Sequence, residues 1–220
     1  MNAVDMLFFE SDCWGRGLNL IAGVDEVGRG SLAGPMVVCA VILNKNLLPK
    51  QSTLPNGATL YSQVRDSKQV TPKRRSILSK FLLNEVLCYS IVEVPHYDID
   101  NLGISACTKN AFLTAVKQLG TPPDHVLTDN FNIPLLAQES QTNLVRGDNR
   151  SLTIAAASII AKVYRDELMV SLHNKHRKYQ MYGFDRHKGY GTRYHRQMIK
   201  KHGLSDIHRK SFHISFETDM

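Results

Sequence analysis

Membrane spans are missing from this sequence. The longest uncharged apolar stretch, Ser31 to Asn44, is broken by Gly34 and Pro35, whereas crossing a bilayer takes about 20 apolar residues. A basic start is missing too. Met1 to Glu10 carries Asp5 and Glu10, so no secretory signal is expected and a cytoplasmic protein is. Cysteine is scarce: Cys13, Cys39, Cys88 and Cys107 stand far apart with no CxxC pair. That spacing argues against a zinc site or a disulfide framework and leaves the thiols as small core residues. There is no internal repeat and no low-complexity segment. Neither phosphate-cradling glycine motif is complete, because G-x-G-x-x-G would need glycine where Ala33 stands and no GxxxxGK[ST] occurs.

What is present suits one domain of 220 residues, or one domain with a terminal extension; the hydrophobic content of 43% is enough for a sizeable core. The chain is basic, with 27 Lys and Arg against 20 Asp and Glu, a net +7. The excess falls late, in His173 to Lys178, Arg186-His187-Lys188 and His208-Arg209-Lys210, with Tyr179, Tyr182, Tyr190 and Tyr194 interleaved. Basic residues beside aromatics suit a phosphate backbone with sugars or bases stacked against it. A solvated helical surface is the competing reading.

Short apolar runs at Leu20 to Val24 and Met36 to Leu43 read as strands joined by a close turn that holds Gly28, Gly30, Gly34 and Pro35. Leu47 to Gly57, with two prolines, reads as a loop. Thr71-Pro72 predicts a helix start, running to about Val86. A strand at Cys88 to Val94 and a helix from Asp98 to Leu119 follow. His125 to Thr128 and Thr142 to Val145 are short strands. A helix is expected from Ser151 to about Lys178, then a loop over Gly183 to Gly191, then a last helix from Thr192 to His202 stopped by Gly203. This is an α/β layout with a helical C-terminal part from about residue 166.

Three expected strand ends finish on carboxylates: Asp25-Glu26, Asp129 and Asp148. An ionisable pair directly after Leu20 to Val24 is a poor way to continue a strand, and α/β sheets place sites at such ends. Four acids in one cleft repel one another unless cations intervene. Oxygen ligands suit Mg²⁺ or Mn²⁺, and two such ions can support phosphodiester displacement. Any single aspartate at a strand end is more often a turn or cap residue.

The segment Ala22-Gly23-Val24-Asp25-Glu26-Val27-Gly28-Arg29-Gly30, with Leu32-Ala33-Gly34-Pro35 after it, resembles the opening signature of the type 2 ribonuclease H family, bacterial RNase HII. The resemblance continues through Asp66-Ser67-Lys68, Asp129, Arg146-Gly147-Asp148, the run Ile154 to Asp166, His187-Lys188-Gly189-Tyr190-Gly191-Thr192 and His208-Arg209-Lys210-Ser211-Phe212. It implies an RNase H-like mixed sheet flanked by helices over residues 19–215, and leaves residues 1–18 without an assigned role. It also implies endonucleolytic cutting of the RNA strand of RNA–DNA hybrids, and of duplex DNA on the 5′ side of a single ribonucleotide, by two Mg²⁺ or Mn²⁺ ions. Asp25, Glu26, Asp129 and Asp148 match the family's catalytic, metal-holding carboxylates. Gly28, Arg29 and Gly30 match its reader of the ribose 2′-hydroxyl, Tyr190 the tyrosine stacked on the sugar beyond the cut, and Lys68 a lysine near the scissile phosphate. Arg146 and Lys188 complete the expected substrate contacts. A DNA sliding clamp is a candidate partner, and a monomer is expected.

The chain departs from the family in Asp129-Asn130, where Asp-Gly is usual, and in Arg146, where lysine is usual. Asparagine tolerates left-handed backbone and arginine keeps the charge. Asp166, within a helix and beside Arg165, reads as an ion-pair residue rather than a fifth catalytic acid. The related type 3 enzymes carry lysine in place of Arg29 and a long N-terminal domain. Two other functions fit the same residues: a non-catalytic hybrid binder, which the four intact acids disfavour, and a DNA-junction nuclease, which a 2′-hydroxyl reader disfavours.

Overall fold

The strand β2 (Met36–Leu43) is buried along its whole length, and its alternate residues feed two different cores. Val37, Cys39, Val41 and Leu43 face one side, Met36, Val38, Ala40 and Ile42 the other. With β1 (Ile21–Val27), β3 (Val86–Val94), β4 (His125–Asp129) and β5 (Gln141–Leu144) it forms one mixed sheet in the order β3-β2-β1-β4-β5. The first three strands run antiparallel, and β4 and β5 add in parallel. This computed structural model describes residues 5–46, 60–64, 67 and 70–215. The expected loop Leu47 to Gly57, and Asp66 and Lys68, lie outside them.

Both faces of the sheet are covered, as an all-buried central strand requires. On one lie α2 (Pro72–Glu85) and the 24-residue α5 (Leu152–Lys175); on the other lies α4 (Ile104–Lys117), preceded by α3 (His96–Leu102). Thr71 caps α2 by accepting from Arg74 N at 3.4 Å, with Pro72 in the first turn, as the sequence predicts. The α5 helix lies directly on β1: a Cβ at Gly23 would stand 2.3 Å from the backbone carbon of Thr153. Among the described residues, no helix is long and apolar enough to cross a membrane.

Several expectations are corrected. The expected single helix from Asp98 to Leu119 is two, split at Gly103, whose φ of +80° no helix continues through. The helix from Ser151 stops at Lys175, His176 being extended, and a short turn α6 (Arg177–Gln180) follows. The loop Gly183 to Gly191 contains a short helix, α7 (Phe184–His187), ahead of α8 (Arg193–His202). Tyr179 and Tyr182, read as surface aromatics among basic residues, are buried. They form, with Phe184, Met169, Ile199 and Leu32, a small core under the C-terminal helices. These helices are too short to bury enough surface from one apolar stripe each, so the large rings fill the space between them.

The N-terminal segment has a definite structural task. In α1 (Phe8–Gly15), Glu10 is fully buried. Its Oε1 accepts from Ser151 Oγ (2.6 Å), Thr153 N (2.9 Å) and Thr153 Oγ1 (2.8 Å). A carboxylate at the start of α5 satisfies donors that the first turn leaves unpaired and complements the positive end of the helix dipole. Glu10→Ala strands those donors in a buried place, so it should destabilise the fold by about 1–3 kcal/mol in urea unfolding. Glu10→Gln, which keeps an accepting oxygen, should recover part of the loss. An unchanged midpoint in Glu10→Ala would remove this role.

Candidate active site

The site arises where β1 outruns a neighbour. Parallel pairing with β4 ends at Val24↔Thr128, while antiparallel pairing with β2 continues through Asp25↔Cys39 and Glu26↔Val38 to Val27↔Val37. Asp25 and Glu26 therefore lie within the strand and not after it. The pair is tolerated because one side of the ladder has opened into a cleft. Strand alternation sends Asp25 toward α5, with Gly23 and Val27, and Glu26 toward the opposite face, with Ala22 and Val24.

Two more carboxylates come from neighbouring elements. Asp129 ends β4, and its Oδ1 accepts from Gly147 N (2.7 Å) and from Asn130 Nδ2 (3.1 Å). Asp148 sits three residues beyond the expected strand end, on a 3₁₀ turn Gly147–Asn149 that leads into α5. Asn149 Nδ2 donates to its Oδ1 at 3.1 Å. Asn130 (φ 58°) and Arg146 (φ 54°) both take left-handed backbone at the ends of this crossing. Asparagine adopts that conformation readily, and arginine adopts it only at some strain.

All four acids line one cleft of about 510 Å³, together with Gly28, Arg29, Gly30, Ser67, Asn130, Ser158, Lys162 and Tyr190. Asp25 and Asp148 are buried. Burial raises the Asp25 carboxyl well above its ordinary range, the charges of Asp129 and Asp148 push it further, and the Ser158 hydroxyl opposes them. Glu26 is raised still more, by burial first and then by Asp25 and Asp129, with Arg29 opposing. Its Oε2 is buried with no hydrogen-bond partner among the described residues. Among the described residues, no three His, Cys, Asp or Glu side chains make a ready cage for a metal ion. Carboxyl groups on both faces of a strand end, with an orphaned oxygen and mutual repulsion among them, nevertheless fit hard cations of the Mg²⁺ or Mn²⁺ kind. Such ions keep waters and take up substrate oxygens instead of relying on an all-protein shell.

The other expected site residues divide. Tyr190 lines the cleft, its ring 5.4 Å from Lys162 Nζ and 5.3 Å from the Arg165 guanidinium carbon. Arg29 lies over the Phe131 ring at 4.8 Å. Gly28 must be glycine for an internal reason, since its φ is +88° and a Cβ would meet Arg165 Nε at 2.1 Å. Gly30 is different: its φ is ordinary and nothing stands within 4 Å of where a Cβ would be. Arg146 is exposed and does not line the cleft. Lys188 is turned away from it, its Nζ hydrogen bonding to Asp185 O. It lines a second groove of about 930 Å³ between α2, α5 and the segment 186–192, which shares Lys162 and Tyr190 with the acidic cleft. Among the expected phosphate contacts, Lys175 faces this groove, while Lys178 is paired with Asp206 at 2.6 Å.

Lys162 and Ser158 add polar chemistry to the cleft, and sequence reading did not single them out. Spacing could have found them: they lie one turn apart on α5, on the face that Asp25 meets. Asp166 bonds Lys162 at 2.7 Å and Arg75 at 3.5 Å, which matches its reading as an ion-pair residue, though its partners are not Arg165.

Comparison with known proteins bears on the family and the fold. A family model described as Ribonuclease HII matches residues 22–215. Ribonuclease HII of Chlamydia caviae is 44% identical over 205 residues, covering 93% of this chain and 89% of the relative. That of Halalkalibacterium halodurans is 42% identical over 219 residues, covering 99% and 76%. Among solved structures, the ribonuclease H2 of Pyrococcus horikoshii OT3 superposes with a TM-score of 0.68 at 23% identity, covering 88% of this chain and 93% of that one. RNase HII in the PCNA:RNase HII complex of Archaeoglobus fulgidus gives 0.69 at 22%, covering 91% and 98%. Bst-RNase HIII in complex with Mn²⁺ gives 0.57 at 19%, covering 84% and 63%. At these identities the structures attest the fold.

The acid cluster should be visible in stability. A carboxyl raised by its surroundings favours the fold while protonated, below the ordinary carboxylate range, and that contribution is lost as pH rises through the folded-state value. Glu26→Gln should therefore raise Tm at pH 8 in chelator, by about 2–4 °C for each kcal/mol of repulsion relieved, and the gain should vanish near pH 4. Mg²⁺ should raise the Tm of the unaltered protein more than that of the variant. Equal shifts with metal in both would count against a cation site at Glu26.

Proposed function

Because this chain belongs to the ribonuclease HII family and is therefore a ribonuclease H endonuclease, we propose that it cuts the RNA strand of RNA–DNA hybrids and also cuts on the 5′ side of a single ribonucleotide in duplex DNA. The observation that carries this reading is the lining of one cleft, in which four carboxylates stand together with the bare backbone of Gly30 and the ring of Tyr190. Nothing in the fold demands glycine at position 30, so its missing side chain is best explained by close approach of a ligand. Backbone donors at such a place can meet a ribose 2′-hydroxyl, the group that separates RNA from DNA. Tyr190 can stack on the following sugar, where a second 2′-hydroxyl would crowd the ring. The adjoining groove, with Lys175, Arg186 and Lys188 along it, offers cations to the flanking phosphates.

In this reading Asp25, Glu26, Asp129 and Asp148 hold Mg²⁺ or Mn²⁺. When bound, such ions supply an activated water and stabilisation of the departing oxygen. The chain's own residues prepare the place. Gly147 N and Asn130 Nδ2 fix Asp129, Asn149 fixes Asp148, and Ser158 holds Asp25 from α5. Hydrolysis breaks the bond from phosphorus to the 3′ oxygen and leaves a 3′-hydroxyl and a 5′-phosphate. Lys162, tied to Asp166 and facing Tyr190, places a positive charge beside the scissile position. The PCNA complex of the Archaeoglobus relative makes a sliding clamp a reasonable partner to test, with the chain itself acting as a monomer in the cytoplasm.

Asp129→Asn and Asp148→Asn preserve shape and remove charge, so each should stay folded and lose cleavage by orders of magnitude. Tyr190→Ala should lose on the order of tenfold in efficiency, given about 1–3 kcal/mol for aromatic stacking, while Tyr190→Phe keeps most of it. The assay is cleavage of matched duplexes bearing one ribonucleotide, four, or none. Full activity in either Asp variant, or cutting of the all-DNA duplex, defeats the reading.

A further inference from the structure

The motif His208-Arg209-Lys210-Ser211-Phe212 has no part in the chemistry above, yet its first two residues are fully buried. Arg209 reaches the loop that joins β1 to β2, donating to Arg29 O (2.8 Å) and twice to Gly34 O (3.1 and 3.0 Å). His208 reaches the other wall of the cleft through one intermediary. Its Nε2 stands 3.0 Å from His195 Nε2, and His195 Nδ1 stands 3.0 Å from the carbonyl oxygen of Tyr190.

The partners fix where every proton in this chain must be. Ser205 N–H donates to His208 Nδ1 at 2.8 Å, so the His208 proton is on Nε2. A carbonyl can only accept, so the His195 proton is on Nδ1, leaving its Nε2 bare to accept from His208. The chain is complete and one-directional: Ser205 to His208 to His195 to Tyr190. It requires both rings neutral, and burial favours that, lowering His195 to about 3 and His208 to about 4. His187 stacks on His195 with centroids 4.3 Å apart and donates from Nε2 to Tyr182 O, while its Nδ1 accepts from Gly189 N. Among the described residues the side chain of Tyr190 has no comparable tether; it rests against Lys162 and Arg165.

We propose that His195 and His208 are positioning residues, a hydrogen-bonded relay that sets Tyr190 in register with the Gly28–Pro35 loop, with Arg209 fastening that loop from the same dipeptide. The two walls that test a ribonucleotide junction thus share an anchor in the segment 208–209, in addition to their direct bond from Leu32 N to Gly189 O (2.8 Å) and the bridge made by Arg165. This rests on the reading of Tyr190 given above.

The test uses the full chain with His195→Leu, His208→Leu, His195→Asn and Tyr190→Ala, measuring kcat and KM on duplexes with one and with four ribonucleotides. Asparagine places an amide N–H where Nδ1 stood, so His195→Asn keeps the donor to the Tyr190 carbonyl. Small misplacements at a reacting centre are costly. The two leucine variants should lose on the order of tenfold of the one-over-four preference, approaching Tyr190→Ala, with His195→Asn within about threefold of the unaltered protein. Ring-nitrogen NMR of the unaltered protein supplies a readout independent of cleavage and of variant folding: His195 should carry its proton on Nδ1 and His208 on Nε2. The opposite tautomers, or folded leucine variants with an unaltered preference beside a blunted Tyr190→Ala, overturn the relay alone. An unaltered preference in Tyr190→Ala overturns the stacking reading and the relay with it.

Discussion

Two buried guanidinium groups hold the rest of the site in place. Arg165 and Arg209 are fully inaccessible, and among the described residues neither makes an ion pair with a carboxylate. Arg165 donates to Pro35 O (2.8 Å), Ala33 O (3.2 Å) and Lys188 O (2.9 Å), and Arg209 to the carbonyls of Arg29 and Gly34. Burial disfavours their charge. Only a dense set of accepting oxygens makes an unpaired buried cation tolerable, and a loop with left-handed turns at Gly28 and Gly34 supplies it. Lysine, with a compact ammonium, could not span carbonyls so far apart. The loop thereby gains a rigid backing, and the glycine at 28 is dictated by the guanidinium behind it.

That backing sits opposite a feature that works against stability. Asp25 and Glu26 are placed where burial and neighbouring carboxylates penalise their charged forms. Functional sites commonly hold such strain, compensated elsewhere in the fold. Here the compensation is identifiable: Glu10 on the first turn of α5, the capped starts of α2 and α8, and the all-apolar β2 between two cores.

Much of this was legible in the residues. The period-2 pattern of β2, the Thr71-Pro72 start and the order of strands and helices follow from local chemistry, and the acids at 25, 26, 129 and 148 were singled out at expected strand ends and by the family resemblance. What local chemistry could not carry was anything set by a distant partner. Asp25-Glu26 continues a strand because β2 goes on pairing with it. Gly28, read as a point of ligand approach, answers first to Arg165, 137 positions later in the chain. Tyr179 and Tyr182 took the places of core residues because three short helices needed filling. Glu10 acts on Ser151 and Thr153 across the whole molecule, and nothing within ten residues of it hints at the contact.

The α5 helix has a further consequence. Its first turn receives Glu10, its second meets Asp25 through Ser158, and its third and fourth carry Lys162 and Arg165. Its far end supports the C-terminal core through Met169. These tasks are spread from Thr153 to Met169, along about 24 Å of one rigid rod at 1.5 Å per residue. A helix transmits length and angle together: one residue gained or lost within it turns everything beyond by about 100° and shifts it by about 1.5 Å. Side chains along α5 can be exchanged one at a time at a local cost, but its residue count cannot change by one ahead of Lys162 without turning Lys162 out of the cleft and Arg165 away from its carbonyls together.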